Sequence, residues 1–126
     1  MEFKSVLSNA SKASQLISNC FHARTLAHIA HLQTTSYSEH VALNAFYDGI
    51  VGLTDAFAES FQGRYGVIGS YPPPSIAGGG YELIVNLRMW IDANRANCGA
   101  QSELQNDIDA IVALCNSTIY KLKTLK

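Results

Sequence analysis

All four histidines of this 126-residue chain, His22, His28, His31 and His40, lie within its first forty residues. His28 and His31 are three apart, the spacing that points two side chains to one side of a helix. His40 follows a short polar break, so it opens the next helix at the same end. Three imidazoles gathered at one corner are suitable ligands for iron or zinc. The plainer reading is that each is a satisfied surface or polar histidine. A second group lies downstream. At about 100° per residue, His40, Asn44, Asp48, Asp55 and Glu59 share roughly a third of a helical turn. Asp55 and Glu59 stand i,i+4, a like-charge pair that repels unless a cation sits between them. Here the plainer reading is the solvated face of an amphipathic helix.

Fifteen residues separate His40 from Asp55, roughly 22 Å along a helix. The two side chains therefore do not share an ion within one chain. They meet if two copies of the helix pack antiparallel about a two-fold axis, the histidine end of one against the carboxylate end of the other. A two-fold contact makes two equivalent sites. Gly52, in the same stripe, would let the second helix approach closely.

The elements that must position these groups read as four helices. The first runs from Glu2 or Phe3 to His31 or Gln33 without glycine or proline. Its apolar stripe is Val6, Leu7, Ala10, Ala13, Ile17, Cys20, Phe21, Ala27 and Ala30. Gln33 to Ser36 breaks it with residues that bond their own backbone. The second starts at Ser36 or Ser38, where Ser36 and Glu39 have capping-box spacing. It ends at Phe61 or Gln62, with Gly63 as its C-terminal cap. Leu43, Phe46, Tyr47, Ile50, Leu53, Phe57 and Phe61 form its core face. The short connection makes these two helices antiparallel.

Gly63 to Gly80 contains Pro72-Pro73-Pro74 and Gly78-Gly79-Gly80, so it is no continuous helix. A loop this long is unusual without a task. The second helix, at about 25 residues, is roughly 37 Å long, and an extended segment of this size spans that distance. The expectation is a crossover that makes helix three parallel to helix two; the alternative is a hairpin in ordinary up-down order. Helix three spans Tyr81 to Asn97 on Leu83, Ile84, Leu87, Trp90 and Ile91. Helix four runs from Ser102 to the C-terminus on Leu104, Ile108, Ile111, Val112, Cys115, Ile119 and Leu122.

The segment Ala27-His28, His40, Asn44 and Asp55-x-x-x-Glu59 resembles the pattern of Dps proteins, the small ferritin-like iron-oxidising proteins of bacteria. Ser102-Glu103-Leu104 and Tyr120-Lys121-Leu122 in helix four are similar as well. The chain also resembles phage-encoded proteins of this size that carry a comparable His31 to Thr34 and Glu39-His40 stretch. The resemblance implies a ferritin-like four-helix bundle with a ferroxidase site across a dimer interface. In that family an acid stands where this chain has Asn44; Asp48, one turn on, is the carboxylate that could replace it.

The net charge is −1, too little cationic field for strong nucleic-acid binding. Lys121, Lys123 and Lys126 are cations where a helix dipole favours them. Three cysteines, Cys20, Cys98 and Cys115, match neither a zinc ribbon nor a redox pair. No signal sequence or membrane-length apolar stretch is read, and Gly78-Gly79-Gly80 lacks the residues of a phosphate loop. The sequence is thus read as one all-α domain, residues 1–126, a cytoplasmic homo-oligomer built on a two-fold dimer. Its expected metal ligands are His28, His31, His40, Asp48, Asp55 and Glu59. Iron is the expected ion, with zinc as the alternative. The rival is a non-enzymatic assembly or binding protein that keeps the fold and has lost the site.

Overall fold

A computed structural model describes the backbone from residue 3 onward and the side chains from Ala10 onward. Within those residues the chain is all-helical: α1 (Phe3–Gln33), α2 (Tyr37–Tyr65), α3 (Tyr81–Asn94), a 3-10 turn (Arg95–Asn97) and α4 (Ser102–Thr124). Glu2, and the side chains of Val6 and Leu7, lie outside the described residues.

The α1–α2 turn needs only three residues. Ser36 is the N-cap of α2, its hydroxyl accepting from the Glu39 N–H at 3.3 Å. The reciprocal half of the capping box is missing, because the Ser36 N–H donates to the Thr34 hydroxyl instead. The far end of α2 corrects the expected Gly63 cap. The helix continues to Tyr65, and Gly66, at φ 96°, closes it by donating its N–H to the Gln62 carbonyl. Phe61 and Tyr65 explain the extension: their rings pack tilted, with centroids 4.8 Å apart, and Tyr65 donates to Gln101 at the start of α4. Only at residue 66 does the chain need the left-handed backbone that glycine supplies. Helix three also ends sooner than expected, at Asn94, the 3-10 turn replacing its last stretch.

The helices pack in a ring, α1 on α2 and α3, α4 on α2 and α3. Side-chain pairs set the directions. Arg64 of α2 pairs with Glu103 of α4, so those helices are antiparallel. Arg95–Asp109 and Arg88–Asn116 make α3 and α4 antiparallel too. α3 therefore runs parallel to α2. The segment between them climbs along α1: Ser18 donates to the Pro72 carbonyl and Gln15 to the Pro73 carbonyl. Fully buried Asn19 accepts from the Ser75 N–H at 2.8 Å. The segment arrives at Gly80 beside the Glu39 carboxylate, at the opposite end from where it began. The prolines hold it extended, and α1 supplies the donors that its carbonyls need.

The core joins Leu16, Ile17, Phe46, Ile50, Phe57, Phe61, Leu83, Leu87, Ile108 and Ile111. Each such burial stabilises by about 1.5–3 kcal/mol. Phe21, expected inside, is 40% exposed; Leu16 and Ala23 are in the core instead. Its position falls off the stripe set by Ala13, Ile17, Cys20, Ala27 and Ala30. Gly49, rather than Gly52, marks the close approach inside the bundle, since a Cβ there would lie 3.3 Å from Leu114 of α4. Gly52 faces open space.

Candidate metal centre

The α1–α2 turn is fastened by two histidines. His31 Nδ1 donates to the His40 carbonyl at 2.7 Å, and His40 Nδ1 donates to the His31 carbonyl at 2.8 Å. The rings stack between, centroids 3.6 Å apart and planes at 18°. A carbonyl oxygen only accepts, so each ring carries a proton on Nδ1, and the lone pair that a neutral ring offers a metal is on Nε2. This is how metal-binding histidines are commonly held, with the second nitrogen donating to a carbonyl. Neither Nε2 is sealed from solvent: the one buried side-chain polar atom without a partner among the described residues is Arg88 Nε. The stack does not chelate one ion, however. A point shared by both rings would lie between the two planes, far out of the plane of each lone pair.

His28 sits beside this clasp. Its ring stacks on Tyr47 at 4.1 Å and meets His31 edge-on at 5.9 Å. Tyr47 donates to Asn44 Oδ1 at 2.5 Å, and Asn44 Nδ2 donates to Asp48 Oδ2 at 2.8 Å. Arg24 lies 5.7 Å from the centre of the Tyr47 ring. The three imidazoles thus gather at the hairpin end, and Asp48 joins them through Asn44 and Tyr47. Tyr47, read from the sequence as part of the core face, is half-buried and packs against the core. It also ties His28 to the polar row; the available signal was its place three residues after Asn44 and one before Asp48.

Asp55 and Glu59 are exposed on the outward face of α2, near its other end. Neither has an ion pair among the described residues. Val41, Ala45, Asp48, Gly52, Asp55 and Glu59 are all exposed and follow one another at alternating steps of four and three. That is the spacing of a helix–helix seam, and nothing among the described residues covers it. No three His, Cys, Asp or Glu side chains among the described residues come close enough to hold an ion within one chain.

The three thiols stand apart from this region. Burial pushes Cys20, Cys98 and Cys115 up to about 12. They are neutral, inert parts of the core rather than thiolate ligands. No described helix is long and apolar enough to cross a membrane.

No curated protein matches the chain, and no solved structure does. One family model matches residues 31–122, that of a family of unknown function (DUF5856). The matched stretch includes His31, His40, Asp48, Asp55 and Glu59 and leaves out His28.

Proposed function

The chain belongs to that family, DUF5856, and we propose that it works as a ferritin-like homo-oligomer holding a divalent transition metal between two copies. The observation that carries the reading is the uncovered seam of α2, with imidazoles at one end and two unpaired carboxylates at the other. Pairing two such seams antiparallel sets His40 of one copy against Asp55 and Glu59 of the next. The reciprocal contact gives two such sites. His28 is the better second imidazole, because His31 is only 7% exposed and its ring is committed to the clasp. The same pairing leaves Asp48 near the two-fold axis, so Asp48 lines the contact rather than ligating beside His40.

Mixed imidazole and carboxylate ligands suit Fe(II), with Zn(II) as the alternative. As substrate, each Fe(II) would lose one electron to oxygen or peroxide. The residues' part is to hold the ion with an open position. The His31 carbonyl fixes the His40 ring, and stacking on Tyr47 orients His28.

A second reading rests on the clasp itself. Both Nδ1 atoms fasten backbone, which is what a helical assembly protein with no metal would need. Anaerobic incubation with Fe(II) or Zn(II), followed by elemental analysis, separates the two. On the metal reading wild-type protein retains metal, Asp55→Ala loses it, and His40→Ala binds more weakly. Retention of neither metal by wild type would favour the assembly protein. Equal binding by both variants would put the site elsewhere.

A further inference from the structure

A second surface lies at the hairpin end of the bundle, where the α2 seam begins. The pairs Arg95–Asp109 and Arg88–Asn116 fix the register of α3 against α4. Continued along both helices, that register brings Lys123 level with Tyr81. The α1–α2 turn, the start of α3 and the last turns of α4 therefore share one end. Large apolar side chains crowd there without cover. Leu32 is 72% exposed, Tyr37 80%, Tyr81 41% and Leu125 46%. Singly exposed apolar residues are ordinary, but four at one tip mark a contact surface.

The charges of this tip are divided. Glu39 and Glu82 border a groove between the α1–α2 turn and Gly79–Tyr81, with a volume of about 590 Å³. Lys121 and Lys123 occupy the last turn of α4. None of the four is in an ion pair among the described residues, whose two ion pairs are Arg64–Glu103 and Arg95–Asp109.

We infer that this tip docks against the tip of a second copy of the chain about a two-fold axis. The acidic groove of each copy then receives the lysine turn of the other, around the shared apolar centre. Charge complementarity argues for a second copy. The surface presents both signs, acidic at the groove and basic on the last turn of α4, so a single rotation satisfies both halves at once. The contact uses the end of the bundle rather than the outward face of α2, and it needs no metal.

The test is the mass of the full chain by sedimentation equilibrium. Lys121→Glu with Lys123→Glu makes an all-acidic tip; Glu39→Lys with Glu82→Lys makes an all-basic one. Each variant alone should have half the wild-type mass, and an equimolar mixture should recover it. Circular dichroism confirms that each is folded. Tyr37→Asp, at a side chain that is almost fully exposed, should also halve the mass. Gly52→Trp should leave the tip contact intact while breaking any α2 pairing. The inference is overturned if the charge variants keep the wild-type mass, if their mixture stays dissociated, or if wild type is monomeric. A wild-type mass that halves only with Gly52→Trp overturns the tip and leaves the α2 seam standing.

Discussion

Replacing His40 with Phe keeps a flat ring in the clasp but removes the Nδ1–H that reaches the His31 carbonyl at 2.8 Å. That carbonyl belongs to the last turn of α1, where no intrahelical N–H follows to satisfy it. The expected cost is about 1–2 kcal/mol, the loss of a hydrogen bond whose acceptor is left without that partner. His31→Phe removes the converse bond, at 2.7 Å. Its acceptor, the His40 carbonyl, is still bonded within α2, so the cost should be smaller, about 0.5–1 kcal/mol. The two Phe changes should add, because the stack survives both. The corresponding Ala changes should not add. Each alone destroys the stack, and their coupling should be about 0.5–1.5 kcal/mol. Urea unfolding in the presence of a chelator measures all of these without metal. An Ala cycle with no coupling, or a His31→Phe loss larger than that of His40→Phe, would refute the clasp as drawn.

Gly99→Ala should destabilise by about 1–3 kcal/mol, because φ there is 104° and a Cβ would fall 2.6 Å from Leu104; thermal melts read it directly. The three thiols should resist labelling by a disulfide reagent at neutral pH and react at once in denaturant, since burial holds them near 12. Folded thiols keep their protons where unfolded ones, ordinarily at 9.0, lose them. Their contribution to stability is therefore complete below pH 9 and is lost as pH rises from about 9 to 12; the urea midpoint should fall over that window. Asn19→Ala removes the acceptor of the Ser75 N–H and should release the crossover, seen as faster proteolysis near Pro74 to Gly78 before global unfolding.

Much of the bundle was legible because apolar spacing and breakers are local. The three prolines and three glycines marked a break between helix two and helix three, and the few residues between His31 and Ser36 forced an antiparallel pair. What failed was set by contacts across the fold. Gly63 has the right residue type for a cap, but Phe61 and Tyr65 pack on past it, and the chain turns at Gly66. Phe21 is as apolar as its neighbours, and only the direction of the α1 stripe put it outside. The histidine corner was legible from spacing. The reciprocal bonds of His31 and His40 were not, because they depend on how closely the two helices approach. Tyr47 packs against the core as its stripe predicts, but the stripe did not show that its hydroxyl turns to a polar neighbour, here Asn44.

Mixing subunits tests the intersubunit site most directly. His40→Ala and Asp55→Ala chains each lack one half of every site in their own dimers. Unfolded together and refolded, they form mixed dimers in which one of the two sites is rebuilt from the intact His40 of one chain and the intact Asp55 of the other. The expected result is that neither variant alone retains Fe(II) or Zn(II) as wild type does, while the mixed dimers, separated by affinity tags, recover about one ion per dimer. Mixed dimers that retain no more metal than the two parents would contradict a site shared between copies.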